Sequence, residues 1–207
     1  MSRPGASTET INRQQLARAF ADTLTDQLVV TGIGNATNDV YAAGDRAQNF
    51  YMRGSMGAAV PIAFGLARAR PQDRIVCIEG DGSVLMNLGA LATVGSYAPK
   101  NLAIVILDNG AYQITGGQPT HTASGVDLAA VARGCGIESA SRADSLTDFM
   151  ATLSKMLDTP GPHVLVASVD RTLSDPKAFQ PRRPALIKYR FMAKLGTLED
   201  VDKLVWE

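Results

Sequence analysis

Ile75-Val76-Cys77-Ile78-Glu79-Gly80-Asp81-Gly82-Ser83 begins as an apolar, β-branched run and ends in an acid set between two glycines. A second stretch of the same design, Ile104-Val105-Ile106-Leu107-Asp108-Asn109-Gly110, places Asn109 twenty-eight positions after Asp81. Such runs are too apolar to be half-exposed strands, and Val29-Val30 and Val164 to Val169 read the same way. The stretches between them have helical length and composition. Alternation of this kind predicts an α/β fold, a doubly wound parallel sheet with helices on both faces. Ligands of such sheets bind beyond the carboxyl ends of the strands, where Asp81 and Asn109 fall.

Two strand ends therefore present oxygen donors side by side. A hard cation such as Mg²⁺ takes oxygen ligands in near-octahedral geometry and completes its shell with waters and phosphate oxygens. Asp81 would supply charge and Asn109 a neutral carbonyl. Gly80 and Gly82 allow a tight bend and close approach of a ligand. A helix is expected to start just after Ser83, turning its unpaired N–H groups toward the same spot. The alternative is a strand-to-helix turn in which Asp81 and Ser83 only cap the helix. Neither the G-x-x-x-x-G-K-[ST] loop of nucleoside triphosphatases nor a G-x-G-x-x-G dinucleotide fingerprint is present here.

The chain has 207 residues, 45% of them hydrophobic, enough for a substantial core, and no linker divides it. We expect one body over residues 1–170 and a basic C-terminal arm over 171–207. Between 171 and 194 the arm carries Arg171, Lys177, Arg182, Arg183, Lys188, Arg190 and Lys194 against Asp175 alone. Its prolines 176, 181 and 184, with interleaved Ile187, Tyr189, Phe191 and Met192, predict an extended segment docked on a neighbour rather than a nucleic-acid binder. The formal net charge is zero, which points to neither nucleic acid nor an anionic membrane.

The stretch Ala58 to Ala67 is small and apolar all round, so it predicts a helix buried on more than one side, with a subunit interface against it. Pro61 fits in its first turn. Cys77 and Cys135 have no metal-ligand spacing and form no disulfide framework. No apolar stretch is long enough to cross a membrane and no signal-peptide core opens the chain, so a cytoplasmic protein is expected. Residues before about Ile11 read as a polar lead-in. His163 opens an apolar strand and reads as structural.

Gly-Asp-Gly followed by a strand-end Asn resembles the cofactor motif of the thiamine-diphosphate-dependent decarboxylases and synthases. Gly54-Ser55-Met56-Gly57, the run Gly80 to Leu91, and Gly116-Gly117-Gln118-Pro119-Thr120 extend the likeness to the sulfopyruvate and phosphonopyruvate decarboxylase branch. The similarity runs from about Val29 to Val169.

That resemblance implies a set of roles. Asp81, the Asn109 side chain and the Ala111 carbonyl would hold Mg²⁺. Gly34, Asn35 and Ser83, with Gly80 and Gly82, would lie against the diphosphate of thiamine diphosphate. Met56 would prop the cofactor into its bent shape, and the Gly54 carbonyl, beside Ser55, would accept from the 4′-amino group. Tyr112 and Ile114 would line the space around the thiazolium. Gln118 and His121, in the loop after Gly117, would wall the substrate pocket.

The family also activates its cofactor with a glutamate carried on a pyrimidine-binding unit, and no such motif is found here. Glu79, Glu138, Glu199 and Glu207 do not match it. The chain thus resembles the diphosphate-binding subunit of a two-chain enzyme, a hetero-oligomer with a pyrimidine-binding partner, inactive alone. The implied reaction is decarboxylation of a small 2-oxoacid to an aldehyde and carbon dioxide, sulfopyruvate ahead of phosphonopyruvate. An acetolactate-synthase-like carboligase subunit is the alternative, with a noncatalytic scaffold behind it. An oxoacid oxidoreductase is disfavoured by the lack of clustered cysteines for an iron–sulfur centre.

Overall fold

The computed structural model describes residues 10–174 and 183–198. Six parallel strands form the sheet: β1 (Leu28–Thr31), β2 (Asn49–Tyr51), β3 (Ile75–Gly80), β4 (Leu102–Asp108), β7 (Ser139–Ala143) and β8 (His163–Ser168). Their order across the sheet is β2-β1-β3-β4-β8-β7. A two-stranded antiparallel pair, β5 (Ala111–Tyr112) and β6 (Gln118–Pro119), stands beyond the end of β4. The four strands anticipated from apolar runs are the four central ones. The two edge strands are short or half exposed, so neither makes an apolar run.

Alternation along each strand sends neighbouring side chains to opposite faces. Val30, Cys77, Ile104 and Val164 meet one layer of helices, α3 (Ala59–Ala69), α5 (Gly89–Tyr97) and α6 (Leu128–Gly134). Val29, Val76, Val105 and Leu165 meet Leu16 and Phe20 of α1 (Arg13–Thr23), Val40 of α2 (Asn35–Ala43) and Phe149 and Leu153 of α7 (Leu146–Asp158). Both faces are therefore covered, as a parallel sheet requires. Side-chain caps start the outer helices: Asn12 accepts from the Gln15 N–H, and Ser145 from the Asp148 N–H.

Two expectations need correction. The helix after the Gly-Asp-Gly turn starts at Asp81, not after Ser83, and α4 (Asp81–Met86) ends after six residues. Asn87 breaks it, and the Asn87 amide donates to the Gly57 carbonyl at 2.9 Å. A helix that short has little macrodipole, so any attraction for an anion rests on individual groups. For Ala58 to Ala67, this single chain leaves open the face expected to meet another subunit. Ala59, Val60, Ala63 and Ala67 of α3 are buried, but Ile62 is 40% exposed, so within this chain the helix is covered on one side.

The second correction concerns the C-terminal arm. Residues 184–194 are not extended; Pro184–Lys194 form a helix, α8, that packs on the chain's own sheet edge. Ile187 and Phe191 are buried, and the Phe191 ring lies 5.5 Å from that of Phe50 on β2. Arg190 bridges both oxygens of Asp45 at 2.5 and 2.8 Å. The apolar residues that looked like a stripe for a neighbour instead cover an exposed strand edge. Lys177 and Arg182 of that arm, and the lead-in over residues 1–9, lie outside the described residues.

Candidate functional site

The chain leaves β1 for β2 on one side and returns to β3 on the other, so the strand order reverses between β1 and β3. A crevice opens at such a reversal, at the carboxyl ends of the strands. A cavity of about 310 Å³ occupies that place. It gathers Gly34, Asn35, Met56, Gly80, Asp81, Gly82, Ser83, Asn109, Ala111, Tyr112 and Ile114. These come from four separate segments, and register explains their meeting: Gly80 of β3 pairs with Leu107 of β4, so Asp81 and Asn109 leave adjacent strands at nearly the same height.

Two glycines matter for shape. Gly34 has φ +87°, where an L side chain is strained, and a Cβ there would lie 3.2 Å from Ile114 Cγ1. A Cβ on Gly82 would come within 2.4 Å of the Tyr112 ring. The first turn of α4 and the β5 strand thus pack backbone against ring.

Asp81 is 2% exposed, and Thr120 Oγ1 donates to its Oδ2 at 2.6 Å. Thr122 Oγ1 lies 3.0 Å from the same oxygen and 2.8 Å from Asp108 Oδ1. Its single proton serves one carboxylate at a time. Burial pushes the Asp81 carboxyl above its ordinary range, the Thr120 hydroxyl pulls it back, and Asp108 raises it further. Negative charge is therefore concentrated here, with Asp81 Oδ1 outside both threonine bonds.

Asn109 closes a turn: its Oδ1 accepts from the Ala111 N–H at 2.9 Å, which brings Ala111 round to the cavity. Among the described residues, no three His, Cys, Asp or Glu side chains group as a metal site. A cation here would meet one carboxylate, one amide oxygen and one peptide carbonyl. That donor set suits a hard ion but fills half of an octahedron, leaving room for phosphate oxygens or water.

Ser83 lines the cavity, but its hydroxyl accepts from the Gly57 N–H at 2.7 Å, so its backbone N–H is what remains for a ligand. Below it lies Glu79, 1% exposed, whose Oε1 a Cβ on Gly32 would strike. Burial raises the Glu79 carboxyl to about 7, against partial relief from Ser83 and the Gly80 and Ala59 backbone.

Other anticipated residues fall elsewhere. Gly54 and Ser55 are exposed beside the cavity rather than in its lining, and Ser55 has φ +61°. Gln118 and His121 are not brought to the cavity. Gln118 is exposed on β6, its amide donating to the Thr115 carbonyl at 3.3 Å, and His121 is exposed at the start of a 3₁₀ turn.

Sequence reasoning missed Arg13, Gln113, Thr120 and Thr122. Arg13 lines the cavity, is 2% exposed, and pairs with Asp39 at 2.5 Å. Its partners lie 26 and 100 positions away, so no local pattern announces it. Thr120 is different, because it ends the Gly-Gly-Gln-Pro-Thr run already singled out.

Residues 32–167 match the family model described as thiamine pyrophosphate enzyme, C-terminal TPP binding domain. The chain is 40% identical over 197 residues to a phosphonopyruvate decarboxylase of Streptomyces viridochromogenes, covering 95% of this chain and 49% of that one. It thus spans about half the length of that relative. It is 39% identical over 166 residues to sulfopyruvate decarboxylase subunit beta of Methanocaldococcus jannaschii, covering 80% of this chain and 87% of the relative. The fold is similar to that of benzoylformate decarboxylase from Polynucleobacter necessarius, with a TM-score of 0.63 at 18% identity over 78% of this chain and 33% of the other.

Proposed function

The chain belongs to the thiamine pyrophosphate enzymes, through their C-terminal TPP-binding domain, and on that premise we propose that it is the diphosphate-binding subunit of a two-chain 2-oxoacid decarboxylase. Its proposed substrate is sulfopyruvate, converted to sulfoacetaldehyde and carbon dioxide. The observation that carries the reading is the meeting of Asp81, Asn109 and Ala111 at one cavity beyond β3 and β4.

In this reading Asp81, the Asn109 side-chain oxygen and the Ala111 carbonyl hold Mg²⁺. The buried Asp81 carboxylate, with Asp108 beside it, favours a cation there, and the three donors would leave positions for phosphate oxygens or water. Gly34 and Asn35 at the start of α2, with the backbone of Gly82 and Ser83, face the diphosphate. Met56 props the bent cofactor, and Ile114 supplies an apolar wall above its thiazolium. When bound, the cofactor supplies an electron sink for loss of carbon dioxide from a 2-oxoacid, and the protein supplies binding, orientation and electrostatics.

Among the described residues the cavity lining contains no glutamate, and Glu79 is buried beneath it. The pyrimidine-activating carboxylate must then come from a pyrimidine-binding unit, which we place on a partner chain in a hetero-oligomer. Met86, 63% exposed and beside Gly57, together with the half-exposed Met56, offers that partner an apolar contact. Substrates are small 2-oxoacids, and neither nucleic acid nor membrane enters the reading; among the described residues no helix is long and apolar enough to cross a membrane. We place the enzyme in the cytoplasm. Phosphonopyruvate is the second reading, favoured by the 40% identity that spans 95% of the chain.

The test is carbon dioxide release by the chain co-purified with its pyrimidine-binding partner. Sulfopyruvate and phosphonopyruvate are compared, with and without Mg²⁺ and thiamine diphosphate. Turnover of sulfopyruvate in the complete mixture alone is expected. Preference for phosphonopyruvate selects the second reading, and a stable cofactor-loaded complex that decarboxylates neither moves the function to carboligation.

A further inference from the structure

Around Asn109 the hydrogen bonds form a chain whose direction is forced. Arg13 Nη1 donates to Gln113 Oε1 at 2.9 Å, and a guanidinium has donors only. Gln113 Nε2 donates to the Arg171 carbonyl at 2.5 Å, and a carbonyl only accepts. The Gln113 amide is thereby held in one orientation. Its Oε1 also takes the Asn109 Nδ2 at 3.2 Å, so the Asn109 amide nitrogen must point to Gln113. The Asn109 oxygen is then on the other side, where it accepts from the Ala111 N–H and can face a cation.

The chain is anchored at both ends. Arg13 is buried and its Nε is paired with buried Asp39, so its guanidinium is not free to rotate away. Arg171 returns Nε to the Asn109 carbonyl at 2.9 Å and Nη2 to the Gly110 carbonyl at 3.1 Å, bracing the backbone that carries the amide. Gln113 itself is only partly buried and stands in the cavity lining. It is the one member of the chain that touches Arg13, Asn109 and the 171 backbone together.

We propose that Gln113 is a positioning residue for the cation site: it relays the fixed orientation of Arg13 to Asn109 and holds the Asn109 side-chain oxygen toward the metal. Partners that orient a metal ligand typically change metal affinity by about 10–100-fold when removed. The inference rests on the proposed role of Asn109 as a ligand, and it adds a residue that does not itself touch the ion.

The test uses the complex with the pyrimidine-binding partner and reads thiamine diphosphate retention by equilibrium dialysis across a Mg²⁺ titration, which needs no turnover. Gln113→Met keeps the length of the side chain and removes the acceptor; about a tenfold or greater rise in the Mg²⁺ needed for half-loading is expected. Gln113→Glu keeps an acceptor for Asn109 and Arg13, and half-loading within about threefold of the parent is expected. In an Asn109→Ala background, Gln113→Met should have no further effect. Unchanged loading of Gln113→Met overturns the inference, as does equal loss in the Met and Glu variants, which would mark Gln113 as packing only. Failure of the parent complex to show Mg²⁺-dependent retention overturns the reading of the site itself.

Discussion

Raising the pH should weaken this fold through Glu79, and Glu79→Gln should remove that weakness. Glu79 ends the inner run of β3 at 1% exposure, pressed against the backbone of Gly32. Burial is the largest influence on it and moves its carboxyl from 4.5 to about 7. The group is protonated in the folded chain and ionised in the unfolded one between those limits. The unfolded state then binds fewer protons, so stability falls as pH rises through that window. Below 4.5 both states are protonated and the full contribution is present; above about 7 both are ionised and the loss is complete. At about 1.4 kcal/mol per tenfold change in proton affinity, the loss is about 3 kcal/mol. Between pH 5 and pH 8 it is about 2–3 kcal/mol. The assay is urea unfolding of the parent and of Glu79→Gln at both pH values. The Gln variant should gain about 2–3 kcal/mol on the parent between pH 5 and pH 8. Parallel behaviour of the two proteins over that range would refute the reasoning, because Glu79 would then be ionised in the fold without penalty.

Asp81→Ala should abolish metal-dependent cofactor retention while changing stability by no more than about 1–2 kcal/mol, since Thr120 and Thr122 keep each other as partners; dialysis and urea unfolding together check both halves. Gly82→Ala forces the Tyr112 ring back by about 1 Å, which should cost about 1–3 kcal/mol, offset by at most ~1 kcal/mol of helix propensity, as measured by urea unfolding. Phe191→Ala should destabilise by about 3 kcal/mol in the same assay, because α8 loses its contact with Phe50; no change would mean that α8 does not dock on β2.

What could be read along the chain followed from how local each signal is. The central strands announce themselves because burial on both faces demands continuous apolar runs, as in Ile75 to Ile78. β2 is only three residues long and opens on a polar Asn49, and β7 alternates buried with exposed residues, so both look like connecting segments. α8 misled for the opposite reason: Ile187 and Phe191 have the character of an interface stripe, and nothing local says that the edge they cover belongs to the same molecule. The Asp81 turn was legible because glycines and an acid at a strand end have few other uses. Gln118 and His121 are exposed outside the lining of this chain's cavity, and nearness in sequence to the Gly116-Gly117 loop does not fix where a side chain of that loop points.

By itself, then, the sequence determined the layered α/β architecture and the donor types at the ends of β3 and β4, since both depend on residues within a few positions of one another. Only the tertiary structure decided which donors are free and how they are aimed. Thr120 and Thr122 take one oxygen of Asp81, and Gly57 takes the Ser83 hydroxyl. Arg13, through Gln113, sets the face that Asn109 presents. Apart from Asn109 and Gln113, four positions apart, those are contacts between groups 26 to 100 positions apart, and their geometry exists only once the sheet has brought its strand ends to a common level.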